Sequence, residues 1–203
     1  MNNSNVWWGG NNTMRGSYIE SYKDLYHGTI ESYAQQIVDT KAFIPSREGW
    51  CGVGVYFYDI RSKAWWSAKR TCEQERKKGN AACAPSVVIA DIKPINRMSI
   101  LDLRSPDDLQ KFADFVDEFL AEENFEIEEE MSENERLRLK RALLLNFFCE
   151  ENNQKLVVGY FKQQPRQEIN ETRIFAEAWQ LAIGIETIYC VKDTSIIENI
   201  RRR

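Results

Sequence analysis

The acid–base chemistry open to this chain is concentrated at one residue, because His27 is the single histidine among 203 residues. It closes the short apolar run Leu25-Tyr26 and is followed at once by Gly28 and Thr29. A ring nitrogen and a backbone N–H with no side chain over it can therefore be offered to the same ligand. A second segment, Gly52-Val53-Gly54-Val55-Tyr56-Phe57, reads as a buried strand opened by two glycines. Its Tyr56 would present a flat ring with a polar tip to a cleft. The five cysteines (Cys51, Cys72, Cys83, Cys149, Cys190) contain no C-x-x-C pair and leave one over, the pattern of reduced thiols. With one histidine and no clustered cysteines, a zinc or iron site has almost no ligands, and no metal is expected. Cys51 reads as a small buried hydrophobe rather than a nucleophile.

In letters, order and separation, Tyr26-His27-Gly28-Thr29 and Gly52 to Phe57 resemble the first two motifs of the PARP-like (His-Tyr-Glu) branch of the ADP-ribosyltransferases, of the small bacterial or phage toxin or defence-effector type. The resemblance implies NAD as co-substrate and an α+β fold. Its core would be a split β-sheet of two antiparallel halves with the dinucleotide in the cleft between them, peripheral helices and a helical insert. It gives His27 a hydrogen bond to the adenosine ribose, Gly28 a backbone contact to the nicotinamide amide and Tyr56 a stacking face for the nicotinamide ring, with Thr29 and Phe57 beside them. Where the family often has a serine and a second stacking tyrosine in the following helix, this chain has Ala64 and Ser67 with Trp65 and Trp66 alongside. The nicotinamide clamp is then weaker or built differently, with Trp65 as the expected ring.

Transfer of ADP-ribose builds positive charge on the ribose in the transition state, so a carboxylate near that sugar is required to stabilise it and to orient or deprotonate the acceptor. The family's third motif is a glutamate at the start of a late strand. Glu177 is placed there, in Phe175-Ala176-Glu177-Ala178-Trp179, with Glu171 second and Glu186 nine residues later. The catalytic set expected from the resemblance is His27, Tyr56 and Glu177. The activity it implies is mono-ADP-ribosyl transfer to a macromolecular acceptor, protein or nucleic acid, with release of nicotinamide. The alternatives are NAD glycohydrolysis and a non-catalytic NAD or ADP-ribose binder. A toxin of this kind would have an antitoxin or neutralising protein as a partner.

The elements that must position these residues follow from periodicity. Residues 1–17 hold five asparagines and Trp7-Trp8 without period, and read as an N-terminal arm; 18–203 read as a single catalytic domain. Glu20 to Tyr26 reads as a first strand ending at His27, and Ile30, Tyr33 and Ile37 have helical spacing with Thr29 as cap. This places His27 and Gly28 on a strand-to-helix turn. Phe43 to Trp50 is a loop, Tyr56 ends the next strand, and Ser62 to Lys77 is a helix. Val87 to Ile92, Leu156 to Phe161 and Thr187 to Val191 are strands. Between about 105 and 152 lies the helical insert, started by Ser105-Pro106 and again by the capping box Ser132-Glu133-Asn134-Glu135, and expected to pack outside the core.

Formal net charge of −4 gives no global attraction to nucleic acid or membrane, and no run of about 18 apolar residues is present to span a bilayer. Met1 to Trp8 lacks a basic region followed by an apolar one, so a cytoplasmic location is expected. Lys69, Arg70, Arg76, Lys77 and Lys78 nevertheless form a basic strip on the helix after the tyrosine motif, which would suit a phosphate backbone if nucleic acid is the acceptor.

Overall fold

The computed structural model describes residues 18–47, 49–122, 131–162 and 185–202. In chain order the elements are β1 (Ile19–Ile30), α1 (Glu31–Thr40), β2 (Val55–Tyr58), α2 (Arg61–Lys77), β3 (Pro85–Asn96), β4 (Ile100–Asp102), α3 (Pro106–Glu122), α4 (Glu133–Glu151), β5 (Leu156–Lys162), β6 (Ile185–Val191) and β7 (Ile197–Arg202). The fold is mixed α+β, with one seven-stranded sheet in the order β4-β5-β6-β2-β1-β3-β7. All neighbours are antiparallel except β4 and β5, which run parallel.

The weak seam of this sheet is its centre. β2 pairs with β6 at four positions, Val55 with Val191 through Tyr58 with Ile188. On its other side β2 meets β1 at one registered pair, Tyr26 with Tyr58. Two strand groups, β4-β5-β6-β2 and β1-β3-β7, are thus joined through that one registered pair.

Strand alternation assigns the faces. Val55, Phe57, Val88, Ala90, Ile92, Tyr189 and Val191 turn to one side and bury with Ala34 and Ile37 of α1. The opposite side carries Val157, Ile188 and Cys190, which bury against Leu145, Phe148 and Cys149 of α4 with Tyr56 and Tyr58 packed alongside. On that same side α2 covers β1 and β3, with Ile30, Cys72 and Cys83 buried together. Two helices therefore flank β2 on one face of the sheet, with the seam between them.

The capping box at Ser132 forms as its letters suggest, each partner satisfying the other's backbone N–H. Other expectations change. His27, Gly28 and Thr29 lie inside β1, not on a turn, because β1 continues its ladder with β3 to Ile30–Pro85. α1 begins with Ile30 as N-cap and no side-chain cap, while Thr29 is buried in the strand. β2 runs on to Tyr58, past Tyr56. The insert does not pack wholly outside: α4 forms one wall of the cleft described next. β4 and β7, three and six residues long, were not anticipated. Among the described residues no helix is long and apolar enough to cross a membrane.

Candidate functional site

A cleft of about 800 Å³ opens over the seam. Its floor is His27 and Gly28 from β1, Tyr56 and Tyr58 from β2, and Ile188 from β6. One wall is α2, through Trp66, Ser67, Arg70, Thr71 and Gln74, and the other is α4, through Asn134, Leu137, Arg138 and Arg141. Ser46, Gly49 and Trp50 form the lip. On each helix these residues recur at three- and four-residue spacing, so each wall is one helical stripe.

His27 occupies the place where the β1–β2 ladder stops. Its Nδ1 donates to the carbonyl oxygen of Tyr56 at 2.8 Å, bridging the two strands by a side chain. Phe43 and Phe57 pack against the ring at centroid distances of 5.2 and 5.7 Å. A carbonyl oxygen only accepts, so the proton sits on Nδ1 in the neutral ring and Nε2 carries the free lone pair. Burial holds the imidazole pKa below its ordinary value, which keeps it neutral. The neutral ring thus keeps its acceptor at Nε2.

Gly28 is required by a close approach. A Cβ there would stand 1.9 Å from the carbonyl oxygen of Ala64, so α2 can sit on the strand only over a glycine. Tyr56 is anchored from its tip: the hydroxyl donates to Gly52 O at 2.5 Å and accepts from Cys51 N at 3.0 Å. Gly52 takes φ +78°, and a Cβ there would meet Asn146 Oδ1 of α4 at 2.2 Å. Lys192 Nζ holds the same turn, donating to Cys51 O at 2.5 Å, Val53 O at 2.8 Å and Asn146 Oδ1 at 2.9 Å. The Tyr56 phenol pKa is raised, mainly by burial, so the ring is an uncharged, rigid surface.

The charged groups in the lining are Arg70, Arg138 and Arg141; no carboxylate lines the cleft among the described residues. Each of the three guanidinium groups lies over an indole of the lining. Arg70 lies 4.9 Å over Trp66, and Arg138 and Arg141 lie 5.5 and 5.0 Å over Trp50.

Of the residues singled out in the sequence, the cleft brings together His27, Gly28 and Tyr56. Thr29 and Phe57 are buried beside it without lining it, Phe57 being 0% exposed on the far face of the sheet. Trp65 is 39% exposed and outside the lining, whereas its neighbour Trp66 is part of it. Glu177 and Glu171 lie outside the described residues. Glu186 is the second residue of β6, only 3% exposed, and paired to Lys63 of α2 at 2.5 Å. Alternation puts it on the same sheet face as the floor residue Ile188, two positions on. Cys51 and Cys190 are fully buried, and the Cys51 thiol is pushed up by its contact with Cys190 and by burial, as suits a packing residue. Among the described residues no group of three or more His, Cys, Asp or Glu side chains is placed to hold a metal ion.

Arg138 and Arg141 escaped the sequence reading because they belong to the insert, which the two motifs do not describe. Comparison with protein-family models, with curated proteins and with solved structures finds no match.

Proposed function

We propose that this chain is an NAD-dependent mono-ADP-ribosyltransferase, with the dinucleotide in the cleft between α2 and α4. One observation carries the reading: His27, Gly28 and Tyr56, from two separate motifs, line a single cleft whose charged lining is arginine. The cleft's volume of about 800 Å³ suits a cofactor-sized ligand. A sheet whose halves meet at one residue pair is in keeping with the split sheet that the resembled family implies.

The dinucleotide supplies the bond that breaks: the ribose C1′–nitrogen bond parts with its electron pair going to nicotinamide, and an acceptor lone pair forms the new bond at C1′. The chain's residues hold and polarise. His27 Nε2 accepts from a ribose hydroxyl, the Gly28 backbone meets the nicotinamide amide, and the Tyr56 ring gives it a flat face. We assign the carboxylate that answers the positive charge on the ribose to Glu186 in preference to Glu177. Glu186 starts a late strand, as the third motif requires, and shares the floor's sheet face beside Tyr58. Its side chain is tied to α2, the wall over the floor, by the ion pair with Lys63.

Incubation of the protein with labelled NAD tests this directly. Nicotinamide release that rises when a cell lysate is added, with label retained on macromolecules, is the expected result. Release that needs no acceptor marks a glycohydrolase, and binding without release marks a non-catalytic binder. Separate protease and nuclease treatment of the labelled fraction identifies the acceptor class.

A further inference from the structure

α4 lies outside both motifs, yet Asn134, Arg138 and Arg141 on one of its faces line the cleft. Arg141 is the unusual member. Its Nε donates to Trp50 O at 3.1 Å, and the guanidinium lies against the contacting rings of Trp50 and Phe161, 5.0 and 5.8 Å from their centres. Its Nη2 is buried and has no hydrogen-bond partner. A buried donor without an acceptor is costly, and burial together with the nearby Arg138 further disfavours the guanidinium charge. An anion in the cleft, which Arg141 lines, would answer that charge.

We infer that α4 supplies the phosphate-binding half of the cleft, with Arg141 as the clamp and Arg138 and Arg70 as flanking charges for the pyrophosphate of a dinucleotide. This deepens the NAD reading and rests on it. A planar guanidinium presents paired N–H groups that match phosphate oxygens two at a time. Three arginines on facing walls exceed what a single carboxylate would need, whereas a pyrophosphate carries two charged phosphoryl groups. The rings of Trp50 and Trp66 and the Tyr56 floor provide flat surfaces for the aromatic groups that such a linker joins.

Calorimetric titration of the full chain with ADP-ribose, NAD and a single-stranded oligonucleotide tests this, using Arg141→Gln, Arg141→Lys and Arg136→Gln. Arg136 is on α4 and outside the lining, so its variant controls for loss of one charge. Thermal unfolding of each variant checks that the fold is retained. Arg141→Gln is expected to weaken ADP-ribose and NAD by about 10-fold or more, the size of a lost charge-assisted hydrogen bond. Arg141→Lys should recover part of the loss and Arg136→Gln should show none. ADP-ribose bound equally well by wild type and a folded Arg141→Gln would overturn the inference and leave the NAD reading standing. Wild type that binds neither NAD nor ADP-ribose overturns both. Binding only of the oligonucleotide, lost in Arg141→Gln, would give the arginines to a nucleic-acid strand and also overturn the pyrophosphate assignment.

Discussion

Lys63 Nζ lies 2.5 Å from Glu186 Oε1, an ion pair in which the carboxylate is 1% exposed and the ammonium 34%. It joins the first turn of α2 to the start of β6 on the face of the sheet that carries the cleft. A buried carboxylate beside a fixed cation is held ready to answer positive charge forming nearby. Glu186→Gln is therefore expected to lower transferase turnover by about 10²-fold or more while changing NAD affinity by less than about threefold. Glu177→Gln, measured alongside, should keep most of its turnover. The reverse ranking would return the role to Glu177.

His27 gives a pH dependence with a definite sign. In the unfolded chain the imidazole takes up a proton near its ordinary pKa of about 6.5, and in the fold burial delays protonation to lower pH. Between those two values the unfolded state binds more protons, so stability rises with pH across the window. The contribution is intact above about 6.5 and is lost as pH falls toward the folded value. Urea unfolding followed from pH 8 to pH 5 should show this loss in wild type and not in His27→Gln, whose amide can still donate to Tyr56 O. No other histidine complicates the comparison. Matching pH profiles for the two proteins would disprove it.

Tyr56 separates a structural tip from a functional face. Tyr56→Phe removes the hydroxyl that bridges Cys51 N and Gly52 O. It leaves a donor at a fully buried residue without that acceptor, at a cost of about 1–3 kcal/mol. A lowered thermal midpoint with NAD affinity nearly unchanged is expected, since the ring remains. Tyr56→Ala should lose the affinity as well. Equal binding losses in the two variants would show that the hydroxyl, not the face, meets the ligand.

The two neighbouring tryptophans make a clean pair. Trp66 lines the cleft under Arg70, whereas Trp65 is 39% exposed outside it. Trp66→Ala is expected to weaken NAD binding by about tenfold, the scale of a lost stacking contact. Trp65→Ala should leave it within about twofold. Titration of both variants decides the matter, and a larger effect at Trp65 would count against the cleft as the binding site.

Local chemistry was legible from the letters alone where its cause is local. The capping box at Ser132 and Glu135 forms because both partners sit within one turn of the same helix. The strand character of Leu156 to Phe161 and the helix near Ser62 to Lys77 follow from residue type and period. That His27, Gly28 and Tyr56 would lie along one cleft was expected from the family resemblance of the two motifs, and the three line it. Tertiary structure decided the rest. Thr29 reads as a cap by propensity, but the β3 ladder through Pro85 carries the strand past it. Trp65 and Trp66 differ by 100° around α2, and which one reaches the cleft depends on the face that packs over Gly28. The arginines of α4 join the cleft, and Glu186 comes to the same sheet face, only through strand register and helix packing between segments far apart in the chain. Contacts of that kind depend on how distant surfaces bury against each other, and short-range periodicity in the sequence does not encode them.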